Sequence, residues 1–422
     1  MDGLGPLVSV LILVGTILLI ALRPASIREG VAASVGAAFM IATGWATLAD
    51  VWRTVQLTSS ILLFLMGMMV IATVVDRAGF FDWAAGQAIR ASRGHGWMLY
   101  VYLYLLGAVV TLFLSLDVTA IIFTPIVCAA AARLRLNPVP FAFAAAFVAN
   151  TASLALPVSN LTNMLVYDLL GVDFWSFVRH MALPNLAALV VNLVVFLCLF
   201  RSDIPARFHQ VDWLQTRVSG WFPICASLGL AVIVGGLLTA GFLGWPLYTV
   251  ALAGAAAMAG IGLAAGQIST STLSRGIAWQ LPPFVIGMYV VVLGVDRAVL
   301  APLWGSLLAS IAAQPLVGLP LLAFATGLGA NIVNNIPMSL VAITALGSVA
   351  GVRDQLAFAT IIGTNLGPNV TVFGSLATML VLTVARQRGI EITPGEYLRV
   401  GLVTTPLMIA AASLVLLAGL QA

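Results

Sequence analysis

The sequence predicts an all-α polytopic membrane protein that contains two copies of one structural unit. Of its 422 residues, 62% are hydrophobic and only 8% are charged, whereas a soluble domain has roughly 25% charged residues. Apolar stretches of about 20 residues, enough for one bilayer crossing, recur along the whole chain. Separate segments of the chain also resemble one another. These observations predict a repeated, membrane-spanning helical fold.

The apolar stretches predict about ten full crossings, with interrupted segments between some of them. The full crossings are expected near residues 6–22, 31–49, 59–75, 98–116, 183–200, 221–239, 246–264, 281–295, 316–333 and 400–419. The interrupted hydrophobic segments are expected at residues 118–132, 139–166, 336–350 and 356–385.

Charge and cysteine content argue against several other classes of protein. The net charge of +4 comes from arginines in short loops, as the positive-inside rule expects, so no nucleic-acid partner is predicted. Cys128, Cys198 and Cys225 are far apart in apolar segments, and the three histidines have no ligand spacing. We therefore expect neither a disulfide framework nor a resident metal or other cofactor.

Two pairs of segments carry the internal repeat. Residues 64–78 align without gaps on 284–298, and both segments contain the run Val-Asp-Arg-Ala. Residues 141–166 align without gaps on 356–381, with a shared asparagine and the shared ending Met-Leu-Val. Order and spacing agree between the two pairs, so one unit of structure is predicted to occur twice. Chance similarity between apolar segments is the alternative.

The repeat divides the chain into residues 1–200, a polar linker at 201–219, and residues 220–422. Each half is predicted to contain a polar turn followed by an interrupted polar hairpin. A third correspondence pairs the turn at Asp117 with the turn at Asn335. The polar turns are expected at residues 115–119 and 331–337, and the broken hairpins at about 139–170 and 356–385.

The basic residues of equivalent loops predict that the two halves are inverted. The loop that follows Ala78 is rich in arginine, whereas its counterpart after Ala298 contains only Arg297. Basic loops face the cytoplasm, so equivalent loops that differ in basic content are expected on opposite sides of the membrane. The 201–219 linker contains three arginines and is predicted to be cytoplasmic.

Polar residues and helix breakers interrupt the apolar sequence at equivalent places in the two halves. Pro157 removes a backbone donor in the first half, and Gly367 with Pro368 favours a similar break in the second. Non-helical backbone at membrane depth must be buried in protein or line a watery cavity, and paired broken helices mark the binding site of many transporters. The candidate substrate-binding residues are Asn150, Ser153, Ser159, Asn160, Asn163, Asn331, Asn334, Asn335, Asn365, Asn369 and Ser375.

These candidate side chains are amides and hydroxyls, with no arginine or histidine among them. Such groups both donate and accept hydrogen bonds, which suits a small neutral hydroxylated solute. A dianion would prefer fixed cations, although helix N-termini also attract anions. The alternative is that these side chains only hold neighbouring helices together.

Asp117 is the one acid with long apolar sequence on both sides. An unpaired carboxylate at mid-membrane costs roughly 2.5 to 3.5 kcal/mol, which favours its protonated form. Asp117 is therefore the predicted proton carrier, because the membrane potential can drive protons across the membrane through such a group. A structural ion pair with Arg133 or Arg135 is the alternative.

The motifs in combination resemble the bacterial arsenite efflux permease family (ArsB type) of the ion transporter superfamily. The resemblance extends nearly from end to end of the chain. The matching stretches are "DRAGFFDWAA" (76–85), "DVTAIIFTPIV" (117–127), "NTASLALPVSNLTN" (150–163), "AWQLPPFVIGMYVVVLGV" (278–295), "NNIPMSLV" (334–341) and "NLGPNVTVFGSLATML" (365–380).

The resemblance implies an inverted-repeat transporter with a scaffold and a transport region, in a bacterial inner membrane. It implies export of trivalent arsenite or antimonite as the neutral trihydroxide, driven by proton antiport or assisted by a cytosolic arsenite-stimulated ATPase. Carried over residue by residue, it assigns Asp117 to the first polar turn and places the remaining matches in the second turn and the two hairpins. Those matches are Ser159, Asn160, Asn163, Asn334, Asn335, Asn365 and Ser375.

The chain departs from the family pattern at four positions. Leu116 replaces a frequent Asn, Asn150 an Asp of some members, Met338 a common Thr, and Asn369 a frequent Lys. The changes at Asn150 and Asn369 remove a possible acid and a possible base together. Asp117 is then more isolated, which leaves the coupling stoichiometry open.

Other functions remain as alternatives at this stage. A sodium/proton antiporter or a small-carboxylate transporter could share this architecture, although sodium prefers several oxygen ligands. A passive channel is also conceivable. An intramembrane enzyme would need paired acids, a histidine cluster or an activated nucleophile, and the mid-membrane residues for such chemistry are missing. We therefore expect a transporter and not an enzyme.

Overall fold

The computed structural model describes residues 4–22, 28–209, 220–300, 313–346 and 353–421, together with residues 308, 310 and 311. Within this part of the chain, nine helices are long and apolar enough to cross a membrane. The prediction of an all-α polytopic membrane protein is confirmed. Residues 210–219 of the predicted linker lie outside the described residues.

We number the helices in chain order. The first half contains α1 (Leu4–Leu22), α2 (Glu29–Ala42), α3 (Leu48–Arg77), α4 (Phe80–Ala91), α5 (Gly96–Leu114), α6 (Leu116–Arg133), α7 (Val139–Thr151), α8 (Leu161–Leu170) and α9 (Phe174–Leu199). The second half contains α10 (Trp221–Leu243), α11 (Leu247–Ala264), α12 (Thr270–Gly276), α13 (Leu281–Val295), α14 (Pro315–Val333), α15 (Asn335–Leu346), α16 (Arg353–Leu366), α17 (Leu376–Gln387) and α18 (Pro394–Gln421).

The helices form two packed groups, and each half of the chain contributes to both. The scaffold consists of α1 to α3 and α10 to α13, with α2 against α13 and α3 against α11. The transport region consists of α5 to α9 and α14 to α18, with α9 against α18 and α14 against α16. The short amphipathic helix α4 connects the groups and packs on α5 and α6.

Two glycines occupy equivalent positions in the scaffold, each at a close contact between helices of different halves. Gly67 on α3 faces Ala251 on α11, and a Cβ at Gly67 would lie 3.0 Å from that backbone. Gly287 on α13 faces Ala33 on α2, where the corresponding separation is 2.6 Å. Each glycine thus lets its helix approach a helix of the other half closely, as small residues do in membranes. Gly67 and Gly287 are the glycines that the sequence repeat aligned.

The chain reverses direction at two residues with positive φ. Ser115, between α5 and α6, has φ 126°, and Asn334, between α14 and α15, has φ 78°. α14 and α15 then pack side by side, and α5 packs on the first turns of α6. Left-handed backbone of this kind is unfavourable for residues other than glycine, so each tip is held by the packing around it. These two re-entrant hairpins lie in the transport region.

The interrupted segments do not reverse. In the first, α7 is followed by short 3₁₀ turns at Ala152–Leu154 and Pro157–Ser159, and then by α8. In the second, 3₁₀ turns at Gly367–Asn369 and Val372–Gly374 separate α16 from α17. α7 packs against α17 and α8 against α16, whereas the two halves of each segment barely touch. The segments are therefore two antiparallel broken helices.

The predicted assignment of hairpins is corrected by this arrangement. The sequence placed polar turns at 115–119 and 331–337 and hairpins at 139–170 and 356–385, but the reversals occur at the turns and the hairpin segments continue across the fold. The physical reason is local backbone geometry. One residue with positive φ turns the chain back, whereas an extended residue between 3₁₀ turns lets the second helix continue onward.

Arginines collect at one end of the helices, which we call the arginine-rich face. The bond from Asn137 Nδ2 to Asp203 Oδ1 and the bond from Gly96 N to Ala206 O join loops at this end. The arginines at this end are Arg28, Arg77, Arg90, Arg93, Arg133, Arg135, Arg201, Arg207, Arg275, Arg386, Arg388 and Arg399. At the opposite end, the described residues include Arg53, Arg179, Arg297 and Arg353.

Candidate functional site

The two broken helices are joined where both are interrupted. Asn365, at the end of α16, donates from Nδ2 to Asn163 Oδ1 over 2.6 Å. Its own Oδ1 accepts from Asn160 Nδ2 over 3.0 Å and from the Thr162 hydroxyl over 2.6 Å. All four side chains are almost completely buried. Asn365 therefore fixes the end of one helix to the start of the other.

The same junction occurs a second time with the halves exchanged. Asn150, at the end of α7, donates from Nδ2 to the Thr378 hydroxyl and to Asn369 Oδ1, each over 3.0 Å. In the sequence repeat, Asn150 corresponds to Asn365 and Thr378 to Asn163. Asn369 Nδ2 in turn donates to the Thr151 hydroxyl over 3.2 Å. The site thus has the pseudo-two-fold symmetry of an inverted repeat.

The second helix of each broken pair begins with an equivalent capping residue. Asn160 Oδ1 accepts from the backbone N–H of Thr162 over 3.1 Å, and Ser375 Oγ accepts from that of Ala377 over 3.2 Å. Both caps have extended backbone, with φ −148° and −141°. A cap of this kind satisfies an N–H that the helix leaves unpaired. The N-termini of α8 and α17 therefore point into the polar centre.

Each hairpin tip is hydrogen-bonded to the interruption of its own half. The Ser159 hydroxyl donates to the carbonyl of Leu112, three residues before the first tip. Asn334 Nδ2, at the second tip, donates to the carbonyl of Phe373 over 3.0 Å. Asn331 accepts at Oδ1 from the backbone and hydroxyl of Thr371 and donates to Gly367 O. The tips and the breaks thus form one polar centre in the transport region.

The remaining candidate residues also lie in this centre. The Ser153 hydroxyl accepts from Asn160 Nδ2 over 3.2 Å, and Asn163 Nδ2 donates to the carbonyl of Ser153 over 2.7 Å. Asn335 begins α15 and is buried beside the second tip. Among the described residues, no group donates a hydrogen bond to two buried amide oxygens, Asn150 Oδ1 and Asn335 Oδ1. This part of the protein thus leaves two acceptors unsatisfied.

The register of the two tips differs by one residue from the sequence correspondence. Ser115 and Asn334 hold the same position, because both connect two helices with positive φ. Asn335 then corresponds to Leu116, and Asp117 corresponds to Ile336. The predicted pairing of Asp117 with Asn335 is corrected accordingly. Few identical residues flank the tips, so backbone conformation shows a register that residue identity could not.

Asp117 faces a cavity and not the polar centre. The cavity has a volume of about 530 Å³ and lies between α3 of the scaffold and α6 of the transport region. It extends to the arginine-rich face, where Arg77, Arg275 and Arg388 line it. Among the described residues, Asp117 makes no hydrogen bond or ion pair, so the alternative of an ion pair with Arg133 or Arg135 receives no support.

Helix α6, which contains Asp117, has a π-helical turn just before Pro125. Residues Thr119–Phe123 form this turn, directly after Leu116–Val118. Pro125 cannot donate a backbone hydrogen bond, and the Thr124 hydroxyl donates instead to the carbonyl of Thr119 over 2.9 Å. π-Turns are frequent at functional sites. This one lies within two residues of Asp117.

Equivalent surfaces of the two halves are packed differently. On the side opposite the arginine-rich face, α3 packs on α8 and α13 packs on α15. The corresponding pairs on the arginine-rich side are α13 with α17 and α3 with α6, and these barely touch. The cavity beside Asp117 occupies the gap between α3 and α6. The protein is therefore open on its arginine-rich face and closed on the other.

Several residues of the centre were outside the predicted set, including Thr151 and Thr371, whose hydroxyls bond Asn369 and Asn331. Thr162 and Thr378 accept or donate within the junctions, and Asn185 Nδ2 donates to the carbonyl of Thr151. Thr378 was detectable, because the repeat aligns it with Asn163. Asn185 had a weaker signal, which is its place after Pro184 within an apolar helix.

Comparisons with known proteins bear on the whole chain. Residues 8–421 match the family model described as arsenical pump membrane protein. Among curated proteins, an arsenical pump membrane protein of Escherichia coli is 33% identical over 405 residues, covering 92% of this chain and 93% of its own length. Another from Escherichia coli strain K12 is 34% identical over 409 residues and covers 93% of this chain and 94% of its own length.

A solved structure resembles the fold. The crystal structure of the Alcanivorax borkumensis YdaH transporter, whose topology is described as unusual, superposes with a TM-score of 0.57. The two chains are 14% identical, and the match covers 99% of this chain and 98% of the other. At this identity the likeness concerns the fold alone.

Proposed function

This chain belongs to the arsenical pump membrane protein family, and on that premise we propose that it exports trivalent arsenite and antimonite in exchange for protons. As a family member whose described residues include nine candidate membrane helices, it is a multi-pass protein of the bacterial inner membrane. The solute in this proposal is the neutral trihydroxide, and the proton carrier is Asp117. The observation that carries the proposal is the buried amide and hydroxyl centre beside a cavity lined by Asp117, whose carboxylate has no hydrogen-bond or ion-pair partner among the described residues.

The chemistry of the polar centre supports a neutral solute. Among the described residues, its hydrogen bonds join amides, hydroxyls and backbone groups, whereas Arg77, Arg275 and Arg388 line the cavity. A trihydroxide can donate three hydrogen bonds, and the unpaired oxygens of Asn150 and Asn335 can accept them. An anionic substrate would meet no cationic side chain among the hydrogen-bonded groups described here and would depend on the N-termini of α8 and α17 alone.

The arginine distribution supports the direction of transport. Basic residues mark the cytoplasmic side of membrane proteins, so the arginine-rich face and its open cavity are assigned to the cytoplasm. A solute entering from the cytoplasm would then meet Asp117 before the polar centre. This orientation agrees with the sequence expectation that the 201–219 linker is cytoplasmic.

The isolation of Asp117 supports its role as proton carrier. A carboxylate without a cation or hydrogen-bond donor is costly at membrane depth, so it takes up a proton readily when water is excluded. While the cavity is open, the carboxylate can release that proton to the cytoplasm. Proton release on one side and uptake on the other would couple the gradient to export.

A sodium/proton antiporter or a small-carboxylate transporter remains the alternative. Sodium would need several oxygen ligands around it, and no group of three or more acidic, histidine or cysteine side chains among the described residues could hold a metal ion. A cytosolic arsenite-stimulated ATPase is a possible partner under this proposal and would bind the arginine-rich face.

Everted membrane vesicles test the proposed function. A pH gradient with the acidic side inside the vesicle should drive uptake of arsenite and antimonite by the unmodified protein. A protonophore should abolish this uptake. Asp117→Asn should lower gradient-driven uptake at least about tenfold, the loss expected when a group that carries charge through the cycle is removed. Uptake of sodium or succinate in place of arsenite would favour the alternative.

The matched control is Asp354→Asn. Asp354 is an exposed acid in the first turn of α16 and does not line the cavity, so this variant should transport arsenite as the unmodified protein does. If Asp117→Asn retains full arsenite uptake that still collapses with the protonophore, Asp117 is not the proton carrier.

A further inference from the structure

One hydrogen bond joins the scaffold to the transport region on the closed side. Ser60 on α3 donates from Oγ to Asp168 Oδ2 on α8 over 2.5 Å. The two residues line a cavity of about 330 Å³ together with Trp245 and Tyr248 of the scaffold. Because α3 and α8 belong to different packed groups, this bond must break if the groups move relative to each other.

A second contact on the same side also spans the two groups. Asp296, at the end of α13, lies near Thr344 on α15, and the Thr344 hydroxyl donates to the carbonyl of Val341 in its own helix. Among the described residues, Asp296 Oδ1 has no hydrogen-bond partner. Both contacts thus lie where the equivalent surfaces of the two halves are packed together.

The repeat assigns an equivalent for the first contact on the arginine-rich side. The offset that aligns residues 64–78 with 284–298 relates Ser60 to Gln280. The offset that aligns residues 141–166 with 356–381 relates Asp168 to Thr383. Gln280 and Thr383 are both polar, and a carboxamide and a hydroxyl can form a hydrogen bond.

This equivalent pair is separated in the structure. Within the described part of the chain, Gln280 Oε1 is buried without a hydrogen-bond partner, and the Thr383 hydroxyl donates to the carbonyl of Met379 in its own helix. α13 and α17, which carry the two residues, barely touch. Two polar pairs therefore occupy equivalent positions. The pair on the closed side is in contact, and the pair on the open side is separated.

We propose that Ser60 with Asp168, and Gln280 with Thr383, are alternating gate contacts of the transport cycle. In the state described here, the first pair closes the side away from the arginines. In the opposite state, the transport region moves so that Gln280 meets Thr383, and Ser60 separates from Asp168. The inverted repeat makes the two closed arrangements equivalent in backbone, while each uses its own polar pair. This inference rests on the proposed function only in requiring that the protein is a transporter.

Cysteine cross-linking tests the exchange of contacts. Cys128, Cys198 and Cys225 are first replaced by alanine, and export by this cysteine-free protein is measured. Ser60→Cys/Asp168→Cys and Gln280→Cys/Thr383→Cys are then introduced separately and together, and disulfide formation by mild oxidation is followed in membranes. A disulfide requires Cβ atoms about 3.5 to 4.5 Å apart, so each pair can react only in the state that brings it together.

The expected result is that both double variants form their disulfide and that each disulfide blocks transport until it is reduced. In the four-cysteine variant, no molecule should contain both disulfides. Coexistence of both disulfides on one molecule would overturn the proposal. Failure of the Gln280→Cys/Thr383→Cys pair to react, while the first pair reacts, would overturn it as well.

Two further variants keep the outcome interpretable. Asp50→Cys/Arg297→Cys places both thiols within the scaffold, where Asp50 and the long Arg297 side chain form an ion pair, so a flexible bifunctional thiol reagent should link them without blocking transport. Ser60→Ala, added to Gln280→Cys/Thr383→Cys, weakens the first contact and should increase the cross-linking rate by up to about fivefold, the effect of one ordinary hydrogen bond. An unchanged rate would count against the alternation even if the four-cysteine protein does not fold.

The cross-linking readout needs neither arsenite nor a proton gradient. If the disulfides alternate but arsenite is not exported, the gate contacts are retained and the proposed substrate is wrong. If arsenite is exported but the disulfides coexist, the substrate is retained and the gate contacts are wrong.

Discussion

Asn365, at the end of α16, and Asn163, in the first turn of α8, are joined by a buried hydrogen bond of 2.6 Å. Asn150 and Thr378, their equivalents in the repeat, are joined in the same way over 3.0 Å. Four helix ends thus meet at two related bonds in the middle of the transport region. In lipid no water is available to replace a lost partner, so these bonds should control both stability and transport.

Asn365→Leu should be the most damaging substitution in the polar centre. It removes the hydrogen bond that Asn160, Thr162 and Asn163 each form with Asn365. Each buried polar group left unsatisfied costs about 1 to 3 kcal/mol. We expect a lower midpoint of thermal unfolding in detergent and loss of arsenite export. Thr239→Val is the control, because Thr239 is exposed and bonds only its own helix; equal destabilisation by both variants would contradict the role of Asn365.

Thr378→Val should have a smaller effect of the same kind. Asn150 loses one of its two acceptors but keeps Asn369, so we expect a loss of stability of about 1 kcal/mol and reduced export. Thr378→Ser retains the hydroxyl and should keep both stability and export near their original values. The comparison of the two unfolding midpoints and of arsenite uptake decides the point, and similar values for the two variants would show that the hydroxyl is unimportant.

Ser115→Gly should stabilise the protein. Ser115 has φ 126° and ψ 164°, a conformation that glycine adopts freely and that costs other residues about 1 to 3 kcal/mol. The matched control is Ser59→Gly within α3, where glycine should lower stability by roughly 0.5 to 1 kcal/mol. Thermal unfolding of the two variants should therefore shift in opposite directions, and a shift in the same direction would argue against strain at this tip.

Gly367→Ala should prevent correct assembly of the second broken helix. A Cβ at Gly367 would collide with the backbone of Gly327 on α14, which cannot move as a side chain can. We expect little folded protein on size-exclusion chromatography in detergent. Gly260→Ala on α11 is the control, since a Cβ there meets no atom within 4 Å and alanine favours the helix by roughly 0.5 to 1 kcal/mol.

Much of the site was predictable because its polar residues and prolines interrupt otherwise apolar sequence. Asparagines and prolines in apolar sequence identified both interruptions, and the repeat identified Asn150 and Asn365 as equivalent. The candidate residues from Asn150 to Ser375 do lie together, and the structure adds others, among them Thr162, Thr378 and Asn185. Their role in binding substrate remains a prediction.

The sequence alone determined that the chain is a helical membrane protein with two related halves, because hydropathy and repetition are properties of the chain itself. Only the tertiary structure decided that the reversals lie at Ser115 and Asn334, that Asp117 faces an open cavity, and that the protein is open on one side. These features depend on how helices cross and which surfaces meet. Two surfaces of equivalent sequence can be packed or apart, so sequence cannot distinguish the two states of an inverted repeat.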